Sequence, residues 1–424
     1  MLDFLLNEEQ KKIQEEARDF VKSIPKQYVL DMDADKIKFP KEFLKEAAHR
    51  GLLGCRYPKE WGGRDLDWVA SQAVLEEIGV LGYIFACTFG VGAELVCDAI
   101  IRHGTDAQKE KYVKPLLRGD LFAAECLTEP RGGSDFFGAT TIAEDKGEYF
   151  LLNGQKRFIV GGEGADYFLV YARTNLDPAA DPHEAISALL VDKTDQVEVS
   201  YLYGLMGCKG GGAARIVFKN AKVPKENIVG KLNGGEAVFN TMMIPERLGT
   251  ACMTIGTGRA ALDVATKYTM QRKQFGKVIR KFQGVSFQVA DAIRLLDTSR
   301  AICYTTCVMV DKWDKKDPVA NVTLDQIRRQ VSEAKKHTTE SCQQAARLSM
   351  QVMGGIGYTN VYPVERYVRD LSLASIWTGT SEVMNLIVSS DWYAEYRAEQ
   401  KDRQVRNYEL DAPESEAADE KIFE

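Results

Sequence analysis

The chain has 424 residues, enough for two or three domains, and its 45% hydrophobic and 27% charged composition is that of an ordinary globular protein. A net charge of −6, with acids and bases interspersed, argues against a nucleic-acid partner, which would favour a basic face. Nine scattered cysteines and four histidines argue against a disulfide framework and a structural zinc site, so most cysteines read as small buried hydrophobes.

The opening, MLDFLLNEEQKKIQEEARDF, places an apolar residue every three or four positions and reads as an amphipathic surface helix. It lacks the basic start and apolar core of a signal peptide, and no stretch approaches the ~20 apolar residues of a membrane span. A cytoplasmic location is therefore expected. Helical periodicity continues to about Arg118, through FPKEFLKEAAHRGLLG, WVASQAVLEEIGVLG and AELVCDAIIRHG. From Asp120 to about Leu232 short β-rich runs such as YFLLNG, DYFLVYART and ARIVFKNAKVP alternate with Gly, Asp and Asn turns. From Gly235 to about Glu395 long helical runs with wide apolar stripes suggest a bundle. The predicted organisation is mainly α with a β middle: an N-terminal helical domain (1–119), a middle β-barrel-like domain (120–232), a C-terminal four-helix bundle (233–398) and a charged tail (399–424). No glycine-rich phosphate loop of the Rossmann or Walker kind is present, so a nucleotide cofactor would need another architecture.

Four segments carry a resemblance: CLTEPRGGSD (Cys126–Asp135), KRFIVGGEGADYFLVYART, ERLGTACMTIGTGRAALDVATKYTMQRKQFGKVIRKFQ (Glu246–Gln283) and QVMGGIGYTNVYPVERYVRDLSLASIWTGTSEVM (Gln351–Met384). Together with the helical–β–helical order, they resemble the acyl-CoA dehydrogenase family over roughly residues 5 to 395. The resemblance implies bound FAD, an acyl-CoA substrate, a homotetramer sharing cofactor sites, and electron-transferring flavoprotein as redox partner. By it, Leu127 and Thr128 would contact the isoalloxazine, and Gly133 and Ser134 the ribityl and pyrophosphate region, with Ser134 also near substrate. Phe158 and Val160 match flavin-flanking positions where many relatives have Trp and Thr. Arg272 would pair with the pyrophosphate of a neighbouring subunit's cofactor, Phe275 would pack on the adenine side, and Gln283 would supply hydrogen bonds. Gln351, Gly354 and Gly355 would approach the adenosine, and Thr380 and Glu382 would also reach the cofactor.

One departure organises the functional reading. Where the usual members carry a proton-removing glutamate before a Gly-Thr pair, this chain has Thr378, whose hydroxyl is no base near neutral pH. The Thr378 backbone N–H remains available to a thioester carbonyl. Glu246 is the first candidate for the missing carboxylate, because isovaleryl-CoA and long-chain enzymes carry their base on the helix that begins Glu-Arg. The bland alternative makes Glu246 a first-turn helix carboxylate behind Pro245. Arg247 reads as an internal ion-pair or CoA-region residue. Glu94 is the second candidate, suited to a cyclic substrate, against a plain surface-facing helix residue. Glu125 stands where relatives often have an aromatic, and would be costly if buried and unpaired. The resulting expectation is removal of an α-proton and β-hydride from a branched, cyclic or aryl-bearing acyl-CoA. Alternatives are an enoyl-CoA reductase running in reverse and a non-redox lyase relative.

Overall fold

A computed structural model describes residues 3–399. The N-terminal part is helical. Helix α1 (Glu8–Ser23) starts at a capping box in which Asn7 and Gln10 exchange side-chain-to-backbone hydrogen bonds of 2.9 Å. Its apolar stripe, with Ile13, Ala17 and Phe20, is buried, as an amphipathic surface helix requires. Helix α2 (Trp68–Gly79), capped by Asp67, is buried along its whole length.

A third helical run, Tyr83–His103, corrects the sequence reading that no stretch comes near a membrane span. Its length and hydropathy would suffice, but 94% of its most apolar stretch is buried inside the protein. It is a core helix, widened by a π turn at Val91–Val96 that carries Glu94.

The chain then forms an eight-stranded sheet: β1 (Ala123–Cys126), β2 (Ile142–Asp145), β3 (Tyr149–Ile159), β4 (Tyr167–Arg173), β5 (Ile186–Asp192), β6 (Val197–Leu202), β7 (Ala214–Pro224) and β8 (Ile228–Val229). The order is β6-β7-β3-β2-β4-β5-β8, with β1 parallel to β4. Side chains alternate across the sheet. Ala124 and Cys126 join a core with Phe150, Phe168 and Val170, whereas Ala123 and Leu127 pack on the helix-facing side with Leu169 and Tyr171.

Helix α3 (Gly235–Gln271) begins ten residues before Pro245, which therefore lies inside a helix rather than at its start. Pro245 offers no N–H to the carbonyl of Thr241, one turn back. With α4 (Gln283–Asp314), α5 (Leu324–Met353) and α6 (Ser381–Glu399), α3 builds the C-terminal bundle. Its core includes Leu248, Cys252, Cys303, Cys307 and Cys342; all nine cysteines are buried and unpaired. Helix α5 begins at a second capping box, Thr323 with Gln326, and ends at Gly354 with φ 67°. Of the charged tail read over 399–424, residues 400–424 lie outside those described.

Candidate active site

The loop that replaces the usual proton-removing position is held from three sides. The Trp377 indole donates to the Tyr83 hydroxyl at 2.6 Å, Lys335 Nζ donates to the Gly379 carbonyl at 2.7 Å, and Thr380 Oγ1 accepts from Val383 N at 3.2 Å. Thr378 takes φ 56° and Gly379 φ 90°. A left-handed β-branched residue is costly by roughly 1–3 kcal/mol and persists only where its surroundings impose it. At Gly379 the left-handed φ itself disfavours a side chain, since the nearest contact a Cβ would make, at 2.6 Å, is the flexible end of Met384. Thr378 Oγ1 is buried without a partner, and no acceptor among the described residues meets the Thr378 N–H.

Glu246 lies on the adjoining stretch of α3. It is 8% exposed, and its Oε2 has no hydrogen-bond partner. Burial pushes the carboxyl up to about 7, against the opposing pull of Arg247 and Lys335. Burial in turn lowers Lys335 to about 8 and Arg247 to about 10. Arg247 makes no ion pair among the described residues. Its Nη1 donates to Ser332 Oγ at 3.2 Å, and its Nη2 comes within 4.0 Å of the space beside Gly379. The expected internal ion pair is thus absent there, and Arg247 is instead a buried cation between Glu246 and the loop.

Glu94 is neither a free base nor surface-facing, which corrects both sequence readings of it. Its carboxylate binds Arg56 Nε at 3.0 Å and Ser71 Oγ at 3.1 Å, and Arg56 also binds Asp98 at 2.6 Å, all buried. Both of its oxygens are thus committed to donors inside the helical domain.

At the end of β1, the Leu127–Ser134 turn is clamped from beneath. Lys156, fully buried, donates to the Leu127 carbonyl at 3.1 Å and to Glu129 at 2.9 Å. Glu129 also accepts from the backbone amides of Thr140 and Thr141. Above the clamp Thr128 lies half-buried, with its methyl 3.7 Å from the space a Cβ on Gly133 would take. Phe158 falls where the β3–β7 register slips; at φ 60° its ring turns outward, 51% exposed, against Tyr203. Val160 is half-buried nearby in sequence.

The remaining predicted residues face outward from the single chain. Arg272 ends α3 without an ion-pair partner among the described residues, Phe275 is 92% exposed at the tip of a small hairpin, and Gln283 opens α4. Gln351, Gly354 and Gly355 are exposed at the end of α5, with open space around both glycines. Glu382 is exposed in the first turn of α6. Lys335, Lys156 and Glu129 escaped the sequence reading. Lys335 could have been found as a lysine inside the apolar stripe of α5, between Val331 and Thr338.

Models of the acyl-CoA dehydrogenase N-terminal, middle and C-terminal domains match residues 7–120, 124–221 and 233–391. The chain belongs to the acyl-CoA dehydrogenase family. This acyl-CoA dehydrogenase is 33% identical to the 3-(aryl)acrylate reductase of Clostridium sporogenes over 385 residues, covering 91% of this chain and 98% of the relative. It is 34% identical to the caffeyl-CoA reductase-Etf complex subunit CarC of Acetobacterium woodii, covering 90% and 98%. The butyryl-CoA dehydrogenase structure from Megasphaera elsdenii superposes with a TM-score of 0.85 at 29% identity, covering 92% of this chain and all of that one. Members are FAD-dependent oxidoreductases acting on CH–CH bonds. The donor set fits that cofactor: a narrow Thr128–Gly133 cradle, an outward aromatic at Phe158, an unpaired guanidinium at Arg272, and glycines without neighbours at 354 and 355.

Proposed function

We propose that this acyl-CoA dehydrogenase uses Glu246 to move the α-proton of a branched, cyclic or aryl-bearing acyl-CoA. The observation that supports it is the unpartnered, buried Glu246 carboxyl beside a loop whose own side chain, Thr378, cannot take a proton. FAD, when bound, supplies the two-electron chemistry at the β-carbon. The free Thr378 N–H suits the thioester carbonyl, where a hydrogen bond acidifies the α-carbon. Arg247 and Lys335 favour the ionised form of Glu246 without neutralising it by contact. The resulting carboxyl titrates at about 7, where a general acid or base works best.

By the same reading Leu127, Thr128, Gly133, Ser134, Phe158 and Val160 hold the flavin end of FAD. Arg272, Phe275, Gln283, Gln351, Gly354, Gly355, Thr380 and Glu382 hold its other parts, partly on a neighbouring subunit. Their outward placement supports a homotetramer, as do the exposed Phe287 and Val308 of α4 and Leu386 and Trp392 of α6. The name of the A. woodii relative supports electron-transferring flavoprotein as partner, and nine unpaired cysteines suit a reducing cytoplasm.

Two reductases among the relatives also favour a second reading, in which the same site saturates an aryl-bearing enoyl-CoA. A panel of saturated and unsaturated CoA thioesters, assayed with artificial electron acceptors and donors, separates the two directions. In either, Glu246→Gln should keep the yellow cofactor and lose turnover by roughly 10²-fold or more. Full activity in that variant sinks the assignment.

A further inference from the structure

Strand β1 carries an acid that no protein group satisfies. Ala124 and Cys126 are fully buried in the sheet core, whereas Glu125 and Leu127, on the face turned to the helices, are half-buried. A strand whose alternate side chains keep accessible surface on one face borders a hollow on that face. Glu125 stands one strand repeat, roughly 7 Å, before Leu127.

The register of β1 on β4 shows what else bounds that hollow. Glu125 pairs with Leu169, and one step further along the same face stand Leu127 and, on β4, Tyr171. The Tyr171 hydroxyl lies 3.4 Å from the sulfur of Met242, one helical turn before Glu246 on α3. At the other end of β1 the π turn closes in, where a Cβ on Gly92 would come 3.6 Å from the Ala123 carbonyl. The lining there is apolar, with Phe89, Leu116 and Phe122, and Thr88 spends its hydroxyl on the Ile84 and Phe85 carbonyls at 3.1 Å.

Glu125 is therefore the free polar group on this wall. Its Oε1 is buried without a partner, and the nearby cation, Lys156, is committed to Glu129 and the Leu127 carbonyl. Burial pushes the Glu125 carboxyl well above its usual range, which keeps it neutral. A neutral carboxyl both donates and accepts, and a hydroxyl matches it because it does both. An apolar chain end would leave it unpaired, at a cost in free energy that a matching ligand removes.

We propose that Glu125 reads the far end of the acyl group, hydrogen-bonding a para hydroxyl on the ring of an aryl-bearing acyl-CoA. This rests on the reading that places the reacting carbons between Leu127 and Glu246. From there one strand repeat is about the reach of a phenyl ring with a para substituent, and an ortho hydroxyl falls short.

The test uses the FAD-loaded enzyme and three probes: cinnamoyl-CoA and its 4-hydroxy and 2-hydroxy derivatives. Binding is read from the visible flavin spectrum, and kcat and KM are measured separately. The parent should bind the 4-hydroxy thioester at least about tenfold more tightly than the other two. Glu125→Leu should bring all three within about twofold, and Glu125→Gln, which still donates and accepts, should keep most of the preference. A parent indifferent to the hydroxyl, an equal gain from the 2-hydroxy isomer, or a preference that survives Glu125→Leu overturns the proposal. If Glu125→Leu fails to load FAD, infrared difference spectra of the parent decide. The carboxyl band missing from Glu125→Gln should move with the 4-hydroxy probe and stay with cinnamoyl-CoA, and an unmoved band overturns the proposal. Binding needs no turnover, so the two readings fail separately. An active Glu246→Gln enzyme that still discriminates the probes refutes the base assignment alone, and an inactive one beside an indifferent parent refutes only the recognition.

Discussion

Replacing Glu246 by Gln should make the protein more stable near neutral pH while removing its chemistry. The carboxyl is raised from 4.5 to about 7, chiefly by burial. At 1.36 kcal/mol per pH unit this is on the order of 3 kcal/mol. The sign follows from proton binding. A folded-state pKa above the unfolded one means that the folded form holds the proton more tightly. The associated stability is complete below about pH 4.5 and drains away as pH rises to about 7. The neutral amide of the Glu246→Gln variant would carry no such dependence. Urea denaturation with saturating FAD at pH 5 and 7.5 measures the effect. The parent should lose roughly 2–3 kcal/mol more than Glu246→Gln between the two pH values. Equal losses would mean that Glu246 is not held protonated by its cavity, and the acid–base argument would fail with it.

Glu94→Gln should destabilise the protein by roughly 1–3 kcal/mol, because Arg56 loses one of its two buried carboxylates and keeps Asp98, while turnover per bound flavin stays near that of the parent. Lys335→Met removes the 2.7 Å bond to the Gly379 carbonyl and a cation that favours ionised Glu246. Its dehydrogenation rate should fall about tenfold, with the acid limb of the pH profile moved upward. In Glu129, burial is outweighed by Lys156 and the Thr140 and Thr141 donors, which hold the carboxyl at about 2. Glu129→Gln therefore leaves Lys156 without its buried counter-charge beneath the Leu127 turn, and fluorescence titration should show FAD bound at least about tenfold more weakly. Finally, Thr378→Glu in a Glu246→Gly background should regain at least about tenfold of the lost turnover, since it returns a carboxylate to the same cavity.

The architecture was legible because its signals are local. Thr323 and Gln326 mark the start of α5, Gly104 closes the Tyr83–His103 run, and the β-rich runs alternate between Asp120 and Leu232. What the sequence hid depends on partners distant along the chain. Glu94 sits on a helix that is apolar on all sides, so no stripe tells pocket from core; Arg56, 38 residues earlier, decides it. Pro245 looked like a possible helix start because proline is welcome there, but packing of the surrounding α3 overrode that preference. The direction of Glu125 required knowing that β1 lies beside β4, a parallel pairing that nothing local announces.

The exchange of base position is physically tolerable because the loop does not depend on its own side chain. Trp377, Gly379 and Thr380 supply its anchors, so residue 378 contributes backbone geometry and its N–H whatever stands there. The strain of a left-handed threonine is borne by those anchors. The carboxylate then needs only another rigid element reaching the same cavity, and the interior of the 37-residue helix α3 is rigid where a loop would not be.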